Sequence, residues 1–362
     1  MFIYWILLIL VLLGYFAYRE QRANRFYVFM SVVLIFISTF RGKEVGGDLY
    51  YYLPLFNNIA NSWEATFSID KYGFIFKIYI KLCSLISCNT TWLLFTTSLV
   101  NICFPLYFFK KHSISPLISL FLYISMSYYT NSFNSIRSSM SLACGMMVVH
   151  YLLSGKKWLA LLWALASVEI HKSMFPIFIL FYLINIKPTF VKISIPVVAS
   201  IVVANIMGLS TFAFILSSYY DYGSLVKMDL DEMSSHGYTL LTMDIVILYI
   251  GYFFMRNKMS KEDAFLLNLF MLATCLQAGA PLFSLITRIA YFFSIYMVVL
   301  LPNSLSYIQS KELRKQYILV MMLISLAFFK VTIMTPRNLG LRNSNSQCTI
   351  PYYFVWENPP KL

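Results

Sequence analysis

The chain is predicted to be an all-α polytopic membrane protein, and three features of its sequence carry that prediction. Apolar residues make up 59% of its 362 residues and charged residues only 12%, roughly half the charged share of an ordinary soluble domain. The apolar residues gather in many runs of about 15–20, the length a helix needs to cross a bilayer core. Short alternating segments, which a membrane β-barrel requires, do not occur. A mean hydropathy of +0.70 agrees.

The first apolar run, 2–18, has no basic residue before it and no small-residue cleavage pattern after it, so it reads as a retained span. The second, 26–40, ends at Arg41-Gly42-Lys43-Glu44-Val45-Gly46-Gly47-Asp48-Leu49-Tyr50-Tyr51-Tyr52. Segment 72–87 places Lys77 and Lys81 four apart on one helical face with apolar residues on the other. That pattern predicts a helix lying in the membrane interface. Further spans are expected at 92–109, 116–130, 138–153, 158–170, 174–186, 193–208, 239–255, 263–283, 285–302 and 317–334. The expectation is therefore about twelve spans in a single domain covering 1–362, without internal repeats. Its irregular parts are a first outer loop over 41–91, a second over 209–238 and an outer tail over 335–362.

Net charge is +13, but no nucleic-acid-binding motif accompanies it, and basic residues in short membrane loops set orientation instead. If 72–87 does not span, alternate connections carry Arg19/Arg22/Arg25, Lys110-Lys111, Lys156-Lys157, Lys187/Lys192, Arg256/Lys258/Lys261 and Lys311/Arg314/Lys315. These hold more than half of the 28 Lys and Arg and are expected to be cytoplasmic. The 41–48 loop, Asn134 to Arg137, His171, Arg288 and both termini are then expected on the opposite side. The six cysteines form no C-x-x-C pair, and five lie in apolar runs, where a small buried hydrophobe is the ordinary role.

Several residues have chemistry that a bare span does not require. Asp48 follows a Gly pair that lets the backbone approach a ligand closely, and can serve as base, metal ligand or acceptor for sugar hydroxyls. Arg41 is a permanent planar cation suited to phosphate. Arg137 opens a span, where free N–H groups and the helix dipole already favour an anion. His171, in Glu169-Ile170-His171-Lys172-Ser173, is a candidate general base, although Glu169 two residues earlier lies on another face. Arg288 sits in apolar sequence with no nearby acid, an expensive arrangement unless it faces a cavity or an anion. Asp229-Leu230-Asp231 has only weak metal-ligand spacing, and neither a metal nor a cofactor is expected.

Taken in order, Arg41-x6-Asp48-x-Tyr50, Asn134-x-x-Arg137, Ile170-His171-Lys172-Ser173, Arg288-Ile289-Ala290-Tyr291-Phe292 and Ile350-Pro351-Tyr352-Tyr353-Phe354-Val355-Trp356 resemble the EpsG-type polysaccharide polymerases, which include many Wzy O-antigen polymerases. The family's small-Gly-Thr-Asp reads here as Gly46-Gly47-Asp48, losing a hydroxyl and keeping the acid. The resemblance implies a GT-C-like glycosyltransferase in the bacterial inner membrane, acting on its periplasmic face. Its substrate would be an undecaprenyl-diphosphate-linked oligosaccharide, and its partners a Wzz-like chain-length regulator and a flippase. Asp48 or His171 would be the base, and Arg41, Arg137 and Arg288 the diphosphate clamp. Tyr50, Tyr51, Asn134 and Tyr352 would contact glycan. An O-antigen ligase, another lipid-linked transferase or a flippase would use nearly the same residues.

Overall fold

The computed structural model describes residues 2–18, 20–69, 72–217, 234–280, 284–334, 336–339, 342–345 and 349–357. Most of the 209–238 loop, with its Asp229-x-Asp231 pair, lies outside them. The chain, expected as one membrane domain, packs as two compact units: Met1–Ile177 with Ser310–Leu362, and Phe178–Gln309.

The first unit begins with α1 (Phe2–Ala17), α2 (Glu20–Thr39), α3 (Leu49–Asn61), α4 (Trp63–Ser68), α5 (Phe74–Ile86) and α6 (Thr90–His112). It continues through α7 (Pro116–Ser125), α8 (Tyr128–Asn134), α9 (Ile136–Leu153) and α10 (Lys157–Ile170). Asn89 caps α6 by accepting from Thr91 N–H at 2.9 Å, and Pro116 starts α7, where its missing N–H costs nothing. The span expected over 116–130 is interrupted. Ser127 adopts a left-handed conformation (φ 62°), ending α7 and re-aiming α8 so that the Tyr129 hydroxyl reaches the Leu34 carbonyl at 2.8 Å. No Gly or Pro marks this break, and periodicity runs straight through it.

The amphipathic segment forms α5, whose 13 residues extend only about 20 Å, short of a bilayer core. Its polar face turns inward. Lys77 and Lys81 are buried, while Phe74, Leu82, Leu85 and Ile86 are exposed. Lys81 Nζ donates to the carbonyls of Ile59 and Ala60 at 2.8 and 3.2 Å and lies 5.0 Å from the Trp63 ring. Lys77 Nζ donates to the Ile69 carbonyl at 2.9 Å. The two ammonium groups thus complete the carbonyl ends of α3 and α4, where the helix dipole favours a cation. The apolar face is left for lipid. Lys81→Met is expected to lower stability by about 2 kcal/mol, since the carbonyls lose a charged donor, with Leu85→Ser much closer to neutral; thermal unfolding of purified protein checks both.

Beneath α3 and α5 lies a core of Leu49, Tyr52, Phe56, Phe76, Ile80, Leu93, Ile136, Met140 and Ile170. It ties the first-loop helices to the ends of α6, α9 and α10.

The second unit takes up α11 (Leu180–Leu183), α12 (Phe190–Ser217), α13 (Ser234–Met255), α14 (Lys261–Gln277), α15 (Ser284–Ser294) and α16 (Met297–Ser304). Helix α14 is its centre, packed by α12, α13, α15 and α16. The buried Asn268 amide donates to the Leu183 and Ile186 carbonyls at 3.1 and 2.8 Å, closing the end of α11 onto α14. The chain then returns to the first unit through α17 (Lys311–Met334). In place of part of the expected irregular tail, β1 (Pro336–Leu339) and β2 (Arg342–Asn345) form an antiparallel hairpin.

By length and composition, five of the described helical segments are able to cross a membrane: Thr90–His112, Ile136–Leu153, Gly237–Met255, Ile286–Tyr307 and Lys311–Met334. Phe2–Ala17, Pro116–Ser125, Lys172–Leu183 and Phe190–Ile206 are apolar but shorter. The protein is a helical membrane protein.

Candidate active site

Residues 40–48 connect α2 to α3, and two sequence-distant segments hold them in place. The chain's last described segment is one. Gly42 N–H donates to the Tyr353 carbonyl at 2.8 Å, and Val355 N–H donates to the Phe40 carbonyl at 2.9 Å. The Tyr352 hydroxyl donates to the Ile37 carbonyl at 2.8 Å, and its ring meets Tyr4 edge-on. Tyr352, expected on glycan, therefore spends its hydroxyl on α2. The second segment is the end of α8: Gly47 N–H donates to Asn134 Oδ1 at 3.1 Å. The same end supplies Phe133, whose carbonyl sits where a β-carbon on Gly46 would be.

Gly46 also has φ +97°, so a side chain is excluded both by backbone strain and by that carbonyl. Gly46→Ala is expected to cost more than the roughly 1–3 kcal/mol of such strain and to disorder the loop. Gly155 is the control: it too has positive φ but no atom within 4 Å of an added β-carbon. Gly155→Ala should cost the backbone term alone in the same unfolding measurement.

Arg41 is at the base of this loop at 2% exposure. Its Nε donates to the Val45 carbonyl at 3.1 Å, its Nη1 to the Ser38 carbonyl and hydroxyl at 2.7 and 3.0 Å, and Phe133 lies 4.7 Å under the guanidinium. Burial lowers its pKa to about 10, against the opposing pull of Tyr129, Tyr352 and Tyr4, so it is still cationic at neutral pH. Arg41, expected at diphosphate, thus spends Nε and Nη1 on the loop and the end of α2. It folds the loop back on itself.

Arg137 differs. It is the second residue of α9 and half-buried, with its guanidinium 5.0 Å from the Tyr72 ring. Its Nε is buried without a hydrogen-bond partner among the described residues. A buried, unmatched donor on a cation is costly and is what an anionic ligand would satisfy. Tyr52 interacts with both Arg137 and Asp48. Burial and the Asp48 charge raise the Tyr52 phenol above its usual range, while the charge and hydrogen bond of Arg137 oppose them. Asp48 directly precedes α3, one turn from Tyr52 on the same face.

His171 ends α10, half-buried, with its N–H on the Ser167 carbonyl at 3.0 Å and its own carbonyl taken by Met174. Its neighbour Ile170 packs in the core with Tyr52 and Ile136. Gly73 rests against the Glu169 carbonyl so closely that any side chain there would overlap it. That contact seats Tyr72, and through it Arg137, over the last turn of α10. Tyr50 and Tyr51 are exposed at 78% and 67%, their rings edge-on at 5.6 Å. Arg288 lies on α15 in the second unit, exposed and without a hydrogen-bond or ion-pair partner among the described residues.

The first unit thus gathers Asp48, Arg137, Asn134 and the His171 turn at one end, around Tyr52 and Tyr72, two aromatics that motif reading passed over. The i, i+4 spacing of Asp48 and Tyr52 was the available signal. The basic loops of the unit lie at its other end, where His112 Nε2 and His150 Nδ1 meet at 2.9 Å across the ends of α6 and α9. Among the described residues no group of three His, Cys, Asp or Glu is placed to hold a metal. Chemically, a carboxylate and a fixed guanidinium flank one buried phenol: a proton acceptor beside an anion site.

A family model described as the EpsG family matches residues 24–354, nearly the whole chain. The chain belongs to the EpsG family, a family of Wzy-type polymerases. No curated protein and no solved structure matches it.

Proposed function

Starting from its place in the EpsG family, we propose that this protein lengthens a polysaccharide on the periplasmic face of the bacterial inner membrane. The donor is a glycan on undecaprenyl diphosphate, and the acceptor is a hydroxyl of another lipid-linked repeat unit. The observation that carries the reading is the buried, unpartnered Nε of Arg137 beside Asp48 and Tyr52. A leaving diphosphate needs such a cation, and an attacking hydroxyl needs such a carboxylate.

In the proposed step the acceptor oxygen bonds to the anomeric carbon as the bond from that carbon to the diphosphate oxygen breaks. Asp48 takes the hydroxyl proton. Arg137 receives the negative charge that develops on the departing undecaprenyl diphosphate, through the fork geometry that suits phosphate. Atoms and charge balance without a metal or cofactor. Asp48 is assigned the base over His171 because Asp48 and Arg137 act on the same phenol. Tyr52 holds the guanidinium in place, and Arg41, Asn134 and Gly46 fix the loop that carries Asp48. Exposed Tyr50 and Tyr51 offer faces for sugar stacking, and Arg288, exposed on α15, is a separate candidate for binding diphosphate.

Orientation follows from charge. The 110–111, 156–157 and 311–315 basic clusters share the end of the first unit opposite Asp48, and basic loops favour the cytoplasm. The twelve-span, GT-C-like arrangement belongs to this reading, as do a Wzz-like chain-length regulator and a flippase as partners. A deletion strain tests the function. Loss of long chains with single repeat units still transferred supports a polymerase. Loss of all surface glycan, single units included, indicates the ligase or flippase reading instead.

A further inference from the structure

At the basic end of the first unit, the junction of α1 and α2, the 114–117 turn and the start of α17 border an open cavity of about 680 Å³. Phe16, Leu117, Leu319 and Met322 give it apolar walls, while Asn24 and Lys315 add polar groups. Trp5 and Phe329 meet edge-on at 5.2 Å, so α1 and α17 run side by side away from the cavity. The outward residues along them, Leu13, Phe16, Leu319 and Leu323, are exposed. Apolar surface therefore continues from the cavity along the flank of the unit. Lys315 pairs with Glu312 at 2.9 Å, with both side chains about three-quarters exposed, a surface pair that contributes little by itself. Arg22, Arg25, Lys110 and Lys111 flank the lining in sequence.

We propose that this cavity binds an anionic phospholipid of the surrounding leaflet. Its phosphate lies at Lys315 and an acyl chain follows the apolar surface along α1 and α17. A cation at the end of an apolar surface complements a headgroup joined to a chain, and the basic surroundings attract anionic lipid at about 1 kcal/mol per residue. Free phosphate would use Lys315 but leave the apolar walls unfilled. The site is at the opposite end of the unit from Asp48 and is independent of the polymerase reading.

The test uses the purified full-length chain in detergent with phosphatidylglycerol, phosphatidylcholine or inorganic phosphate. Retained lipid is counted by native mass spectrometry, and stabilisation is read from the unfolding midpoint. Phosphatidylglycerol is expected to be retained over phosphatidylcholine. Lys315→Glu and the cavity-filling Leu319→Trp should each lower its retention by on the order of tenfold, and Lys111→Glu, outside the lining, should lower it clearly less. Equal losses in Lys315→Glu and Lys111→Glu would reduce the effect to diffuse charge and overturn the site. So would unchanged retention in Leu319→Trp. Equal retention of phosphatidylcholine, or full stabilisation by inorganic phosphate alone, would overturn the anionic-lipid assignment.

Discussion

Arg137→Lys is expected to cut polymer formation by on the order of a hundredfold or more while leaving the protein folded and abundant in membranes. Lysine keeps the charge over the Tyr72 ring, 5.0 Å away in the wild type, so the packing of α9 loses little. What it loses is the planar pair of donors aimed at two phosphate oxygens. Removing a single preorganised donor to a developing anion commonly costs a factor of about 100–1000 in turnover. The measurement is chain length and turnover from lipid-linked repeat units, with membrane abundance as the control. If Arg137 were only an interfacial anchor, lysine would replace it almost fully, because either side chain reaches the headgroups. Arg288→Lys belongs in the same experiment. Exposed on α15, it should lose activity as Arg137→Lys does if it too grips diphosphate, and keep it if it anchors.

Asp48→Asn is the second large effect. The amide is nearly the same size and keeps an acceptor oxygen, so the hold of Asn134 on Gly47 N–H, at 3.1 Å, should survive. It does not accept a proton at working pH. Loss of a positioned general base lowers turnover by about 10²–10⁴, and KM for the lipid-linked donor should change far less. His171→Ala tests the assignment between the two bases. Under the mechanism above it reduces activity less than Asp48→Asn; the reverse order would move the proton to His171.

Much of this was legible in the chain itself. The membrane class follows from composition, and the ordered motifs near 41–52, 134–137, 170–173 and 350–356 fold to one end of the first unit. That convergence is physical: Gly42 pairs with Tyr353, Gly47 with Asn134, and Gly73 with Glu169. Burial was harder to read. Arg41 and Arg137 look alike as lone arginines at the ends of apolar runs, but one is matched by Val45 and Ser38 and the other has an unmatched Nε. Helix α5 is amphipathic as its sequence predicts, but its lysine face turns inward and its apolar face outward. Where lipid surrounds a protein the apolar face is free to point outward, and periodicity alone does not distinguish the two cases. The helix expected over 116–130 failed for another reason. Ser127 breaks it through a left-handed backbone that local sequence does not announce.

The most direct test of the central claim is reconstitution. Purified protein in liposomes receives only undecaprenyl-diphosphate-linked repeat units, with glycan length and released undecaprenyl diphosphate measured together. The account predicts chains of increasing length, one undecaprenyl diphosphate released for each linkage formed, and loss of both in Asp48→Asn. Repeat units that cross the bilayer unjoined, or glycans that lengthen without release of undecaprenyl diphosphate, would contradict it.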